Sequence, residues 1–307
     1  MSTVYIRFAA RGLDAPQRSP LLERLIARAA PAVRTDNWRA EAFRAIVPGA
    51  AGLPSIAGTA LAAVGGAPGE WGCIATPVHC VAGMSAVTLP PDGRLTLGAV
   101  DAAVLAADFN RVFSGAGARL VVGRAAVLIC VFDRALQVAT QDPDAAAGAD
   151  VFGFQPAGLD APQLRRLMSE MEMWLFDHEL NRARAAAALL PITGLWLWGE
   201  GTVAPAPPVV QGWTAGRDPL FAAFGDQVQF PASAGAGVVV CDDTPGSSSW
   251  PDVERRWLAP AAAALRARSI ERLDLCGGRL RCSVAAGPSW RFWRRPGPWW
   301  EIFDDPV

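Results

Sequence analysis

Apolar positions along this chain follow two rhythms. Residues 3–8, TVYIRF, form a short run that reads as an opening strand. After the turn ARGLDAPQRSP, the segment LLERLIARA repeats its apolar positions at helical spacing, with Ser19 placed to cap it and Pro20 at its first position. Further helices are predicted over 36–46 and 54–64. Residues 69–140 change character: WGCIATPVHCVAG, SAVTL, GRLTLG, ARLVVG and AAVLICVF are short strand-like runs around one helix at 98–113. A Gly/Pro/Ala-rich connection covers 141–160, and one long helix is predicted over 161–188. LWLWG at 195–199 reads as a buried strand, PLFAAFG as a short helix and GVVVCDD as another strand. A helix over 251–268 and a hairpin, RLDLC with RLRCSVA, turning at Gly277-Gly278, complete the pattern.

Strands alternating with helices outside 69–140 predict an α/β fold: a mostly parallel sheet with helices on both faces and a smaller inserted α+β unit. The expected boundaries are 1–66 and 161–307 for the α/β core and 67–160 for the insertion.

Composition narrows the chemistry. At 307 residues and a net charge of −1, the chain offers no overall field to attract nucleic acid or an acidic membrane. All 28 basic residues are arginine. The absence of lysine excludes Schiff-base catalysis, PLP attachment and a P-loop lysine. Six cysteines, at 73, 80, 130, 241, 276 and 282, lack zinc-site spacing and sit mostly in apolar runs, as small buried thiols do. The N-terminal segment lacks an apolar signal-peptide core, and the apolar stretch 50–67 is broken by Gly and Pro. A reduced, cytoplasmic protein with no membrane span and no cofactor is the expectation.

Few residues offer chemistry. His178 follows Leu164, Met168, Met171 and Leu175 on one predicted helical face, and Asn181 and Arg182 continue the stripe. The face reads either as a core histidine fixing how the helix docks, or as a cleft where an arginine meets a phosphate or carboxylate. His79 beside Cys80 suggests a dyad, but neighbours on a strand point to opposite faces, so His79 reads as a binding or structural residue. His79, His178, Asn181 and Arg182 are therefore the candidate ligand-binding residues. Asp242 and Asp243 follow an apolar strand, at the end where α/β sheets bind ligands; paired carboxylates there could hold a metal, but the pair reads first as a polar loop after a buried strand, and no metal site is expected. Trp290, Trp293, Trp299 and Trp300 interleave with Arg291, Arg294 and Arg295; this reads as a packed edge or a protein-partner surface rather than a base-stacking platform.

The segment HELNRARAAAALLPITGLWLWGEG resembles the archaeal-type cofactor-independent phosphoglycerate mutases, in which a His-Pro-x-Asn helix start leads into an apolar strand ending in glycines. It is more similar still to a bacterial group of RpfE-type regulatory, phosphoglycerate-mutase-like proteins. The shared features are Pro77-Val78-His79, the M-E-M-x-L helix leading to His178 and Asn181, the W-L-W-G strand and the W-R-F-W-R-R-P end. Glu179 stands where proline is usual, and Thr193 near the usual asparagine.

The resemblance implies an alkaline phosphatase-like fold. In those relatives the first strand leads to an Asp-Gly metal loop; here FAARGLDAP stands there, with Asp14 displaced. Their later Asp-Gly-His and terminal histidine motifs have no counterpart, and two histidines fall short of their di-metal centre. The expectation is a non-catalytic regulatory or ligand-binding protein, taking a small phosphorylated or carboxylate ligand or a protein partner. The alternative is a metal-dependent phosphotransferase or mutase with a rearranged site, its candidate metal ligands being Asp14, Asp242 and Asp243, with His178 as a further one.

Overall fold

The computed structural model describes residues 2–8, 18–233, 235–241, 250–287 and 295–303, and they fall into two units. The chain opens one unit with β1 (Thr3–Phe8), α1 (Pro20–Arg28), β2 (Val33–Arg34) and α2 (Trp38–Ile46). It then builds the second, residues 54–207, from α3 (Ile56–Ala62), β3 (Trp71–Val78), β4 (Val81–Ala82), β5 (Val87–Thr88), α4 (Ala99–Val112), β6 (Ala118–Val122) and β7 (Leu128–Phe132). The same unit continues with α5 (Pro143–Ala146), α6 (Ala161–Phe176), α7 (Glu179–Ala186) and β8 (Gly194–Thr202). From residue 208 the first unit resumes with β9 (Trp213–Gly216), α8 (Pro219–Ala222), β10 (Gly237–Val240) and α9 (Trp250–Val253). It ends with α10 (Ala259–Arg266), β11 (Arg272–Gly277), β12 (Leu280–Ala285) and α11 (Trp300–Phe303).

The first unit is built on a six-stranded sheet in the order β2-β12-β11-β1-β10-β9. β9, β10, β1 and β11 run parallel, and β12 and β2 add antiparallel strands at one edge. The alternation in TVYIRF explains the central place of β1, which is buried along its whole length. Val4, Ile6 and Phe8 join Leu22, Ile26, Leu258, Ala261 and Leu275 in one apolar core. Tyr5 and Arg7 face the other way, toward α2. α1 starts as the sequence predicts: Ser19 accepts the amide of Leu22, and Pro20 occupies the first turn.

The helix predicted over 251–268 is interrupted by a π turn at Glu254–Leu258. Pro260 has no amide to give to the carbonyl four residues earlier, and that carbonyl, on Arg256, accepts the amide of Phe230 instead.

The second unit holds a four-stranded antiparallel sheet in the order β6-β7-β3-β8. Both faces are covered. Leu105, Phe109, Leu164, Met171, Leu195 and Leu197 form one cluster, and Ala57, Leu61, Ile74, Ile129, Trp196 and Trp198 the other. At Gly58, α3 crosses so close to β8 that a Cβ would collide with the carbonyl of Thr202.

Two sequence expectations change. The inserted unit spans 54–207 rather than 67–160, because Gly194–Trp198 pairs antiparallel with Ile74–Val78 and α6 buries Leu164, Leu167, Met171 and Leu175 beside that sheet. The single helix of 161–188 is two helices, broken at Asp177 and His178, where His178 is extended (φ −73°, ψ 140°). Among the described residues no helix is long and apolar enough to cross a membrane.

Candidate functional site

Two of the four candidate ligand-binding residues, His79 and Asn181, meet on the segment that leads into β8, and a third, His178, opens the helix that carries Asn181. The break before α7 leaves the first amides of that helix without intrahelical partners. His178 fills the cap position: its Nδ1 accepts the amide of Leu180 at 3.1 Å. Nδ1 is therefore the unprotonated nitrogen, and Nε2 carries the hydrogen toward Asp108 Oδ2, 3.4 Å away. Trp174 packs edge-on against the imidazole at 4.7 Å, and the side chain is buried.

One turn on, Asn181 uses both ends of its amide. Nδ2 donates to the carbonyls of Leu175 and Ile192, each at 2.8 Å, and Oδ1 accepts the Ile192 amide at 2.7 Å. Arg184 donates to the carbonyl of Leu190 at 2.7 Å, and burial lowers its pKa.

His79 reaches the same segment from the end of β3. Its Nδ1 lies 3.0 Å from the carbonyl of Pro191, a contact that needs the hydrogen on Nδ1. Thr193 completes the clasp: its Oγ1 accepts the amide of Cys80 at 2.7 Å, and its own amide donates to Val78. The Cys80 thiol is pushed up by burial, against an opposing hydrogen bond with Thr193. His79, Asn181 and Arg184 thus hold residues 190–192, while His178 fixes the start of α7. Arg182 is not among them; its guanidinium points to solvent, paired with Asp177 at 2.6 Å.

A second polar constellation stands in the first unit and escaped the sequence reading. β1, β9, β10 and β11 are parallel, so their carboxyl ends share one edge, with Arg7, Gly216, Val240 and Cys276 in one row across the sheet. Gly216 has φ +101°, and a Cβ there would strike the carbonyl of Val240. This close approach turns the chain into Asp218.

Asp218 caps α8 through Oδ1, and its Oδ2 accepts from Arg39 Nε at 2.7 Å in a buried ion pair. The guanidiniums of Arg39 and Arg7 both lie over the Trp38 ring, at 4.5 and 4.3 Å. Arg7 also donates to the carbonyl of Gly278 at 3.0 Å and contacts the Cys276 thiol at 3.7 Å. Burial raises that thiol's pKa although Arg7 and Tyr5 pull it down. The available signal was Arg7 itself, a charge inside an apolar strand, which must find partners on the covered face.

The candidate metal ligands Asp14, Asp242 and Asp243 lie outside the described residues, as do Trp290, Arg291, Trp293 and Arg294. Among the described residues, no three His, Cys, Asp or Glu side chains gather in a way that could hold a metal ion. Within the tryptophan-rich end, Trp299 and Phe303 are fully buried against Phe8, with ring centroids 5.5 and 5.1 Å away, and Trp299 stacks on Trp250 at 4.9 Å. That portion is part of the core of the first unit.

No protein-family model matches the chain, and no curated protein matches it. Among solved structures it is similar to a cofactor-independent phosphoglycerate mutase from Thermoplasma acidophilum, at 13% identity and a TM-score of 0.39, covering 98% of this chain and 94% of that one. It is similar also to a protein from Pyrococcus horikoshii, at 13% identity and a TM-score of 0.38, covering 94% of this chain and 88% of that one.

Proposed function

We propose that this chain is a phosphoglycerate-mutase-like protein of alkaline phosphatase descent that binds a small phosphorylated or carboxylate ligand as a regulator rather than a catalyst. One observation carries the reading: both histidines are engaged within residues 54–207, His79 on the carbonyl of Pro191 and His178 on the amide of Leu180 and on Asp108. Phosphotransfer by paired cations needs several imidazoles and carboxylates converging on the ions. Two imidazoles tied to a loop and a helix end do not supply them, so the described residues do not fit that centre.

The carboxyl edge of the parallel sheet is where such a ligand would bind, as in open α/β sheets generally. Arg7 and Arg39 bring guanidiniums there, which a phosphate or carboxylate would share with the Gly278 carbonyl and Asp218 that they already hold. Calorimetric titration of the full chain with 3-phosphoglycerate, and separately with inorganic phosphate, tests this. Binding is expected, weakened roughly tenfold or more in Arg7→Gln. Mutase turnover of 3-phosphoglycerate in the presence of manganese would overturn the regulatory reading.

One observation favours the second reading, a metal-dependent phosphotransferase. β1 and β10 are paired neighbours, Val4–Arg7 with Gly237–Val240, and Asp14 and the Asp242-Asp243 pair follow those two strands in sequence. Near-stoichiometric manganese or zinc in the purified protein, with phosphoesterase activity lost on chelation, is its signature.

A further inference from the structure

Cys73 and Cys130 stand directly opposite each other on the antiparallel strands β3 and β7. Neither is exposed, and both are free thiols. Cα atoms of directly opposed residues in an antiparallel pair lie about 4.5 or about 5.5 Å apart. Both spacings fall inside the roughly 4.4–6.8 Å that a disulfide spans. The two side chains share one apolar cluster, between Trp71 and Phe132 on one side and Ala75 and Leu128 on the other. They are close enough for the Cys130 thiol to raise the pKa of Cys73.

The local backbone favours closure. Between Gly72 and Ile74 the register of β3 against β8 shifts, so Cys73 has no partner in β8 and Cys130 is its one cross-strand neighbour. A bulge loosens a ladder where a cross-link needs small adjustments. On the other side, the in-plane neighbour of β7 is the edge strand β6, to which it is joined by a turn with Ala125 and Ala126 at positive φ (54° and 60°). Opening of that hairpin would let a small oxidant reach Cys130.

We propose that Cys73 and Cys130 are a modification site: a cross-strand dithiol that a peroxide oxidises to a disulfide and a thiol reductant restores. The Cys130 sulfur attacks one peroxide oxygen, the O–O bond breaks, and the leaving hydroxide takes the thiol proton as water, giving a sulfenic acid. The Cys73 sulfur then attacks that sulfur, and the sulfenic hydroxyl leaves with the second thiol proton as a second water. Two thiols lose two electrons and two hydrogens, and the peroxide is reduced to two waters. Burial holds Cys130 at a pKa of about 12 and pushes Cys73 up, so the closed sheet keeps the pair reduced and hairpin opening sets the rate.

The test exposes the full chain to graded hydrogen peroxide, alkylates it in denaturant, digests it without reductant and maps the peptides by mass. A linked Cys73–Cys130 peptide, two hydrogens lighter than the separate thiols and split by dithiothreitol, is the expected result. The oxidised protein should melt roughly 5 °C or more higher. The half-buried Cys80 is the internal reference. If Cys80 is oxidised to completion while Cys73 and Cys130 are both recovered alkylated, the proposal fails. It fails equally if the cross-links join other cysteines. Mapping the unmutated chain makes the result independent of whether a cysteine variant folds.

Discussion

Asn181 shows how one side chain can look like a binding residue and serve as a fastener. Its amide spans from the end of α6 to the loop before β8, satisfying Leu175 and Ile192 with three hydrogen bonds while almost fully buried. Truncating it strands buried backbone groups, each worth about 1–3 kcal/mol when left unmade. Asn181→Ala should therefore lose about 3 kcal/mol in urea unfolding, with faster hydrogen exchange at the Ile192 amide. A loss below about 1 kcal/mol would mean that the loop is held without it. His178 was legible in the sequence as a helix residue with core neighbours, but not as a cap. Caps are read from Ser, Thr, Asp and Asn, and an imidazole accepting an amide lies outside that pattern. Ser19 and Pro20 follow the usual chemistry, and the start of α1 could be read directly.

Elements whose apolar spacing has one period were legible; those whose period continues through a break were not. The stripe from Leu164 to His178 runs on because α6 and α7 bury their faces on the same side, and Asp177 carries no proline or glycine signal for the stop. The start of α6 follows a rule of its own. Asp160 occupies the cap position without capping; its carboxylate pairs with Arg134 at 2.8 Å and accepts the Gln137 amide at 2.7 Å, tying the preceding connection to the helix. Arg134, then the Gln137 amide, holds the Asp160 pKa down at about 2. A carboxyl depressed on folding adds stability above its unfolded pKa of about 3.9 and loses it as pH falls through the folded value. Asp160→Asn should lower the urea midpoint by a constant amount above about pH 5. The difference from the unmodified protein should shrink between about pH 4 and about pH 2. A difference that is flat across that range would show that the Arg134 pair does not form in solution.

For the whole molecule, the alternation of strands and helices gave the α/β class and the existence of an insertion, but placed its ends too far inward. Strand direction is the reason. LWLWG is as apolar as a central parallel strand, since both of its faces are covered, and only pairing with β3 reveals it as antiparallel. Once β8 belongs with β3, α3, α6 and α7 go with it, and the unit becomes the continuous stretch Pro54–Pro207. That stretch has a sheet with an apolar cluster on each face and needs no strand from outside to complete its ladder. A segment that buries its own core is a folding unit. Residues 54–207 expressed alone should unfold cooperatively in urea and keep the Ile192 amide protected from exchange, since all its partners lie inside the fragment. A fragment that instead unfolds without a cooperative transition would show that the antiparallel sheet depends on the flanking chain.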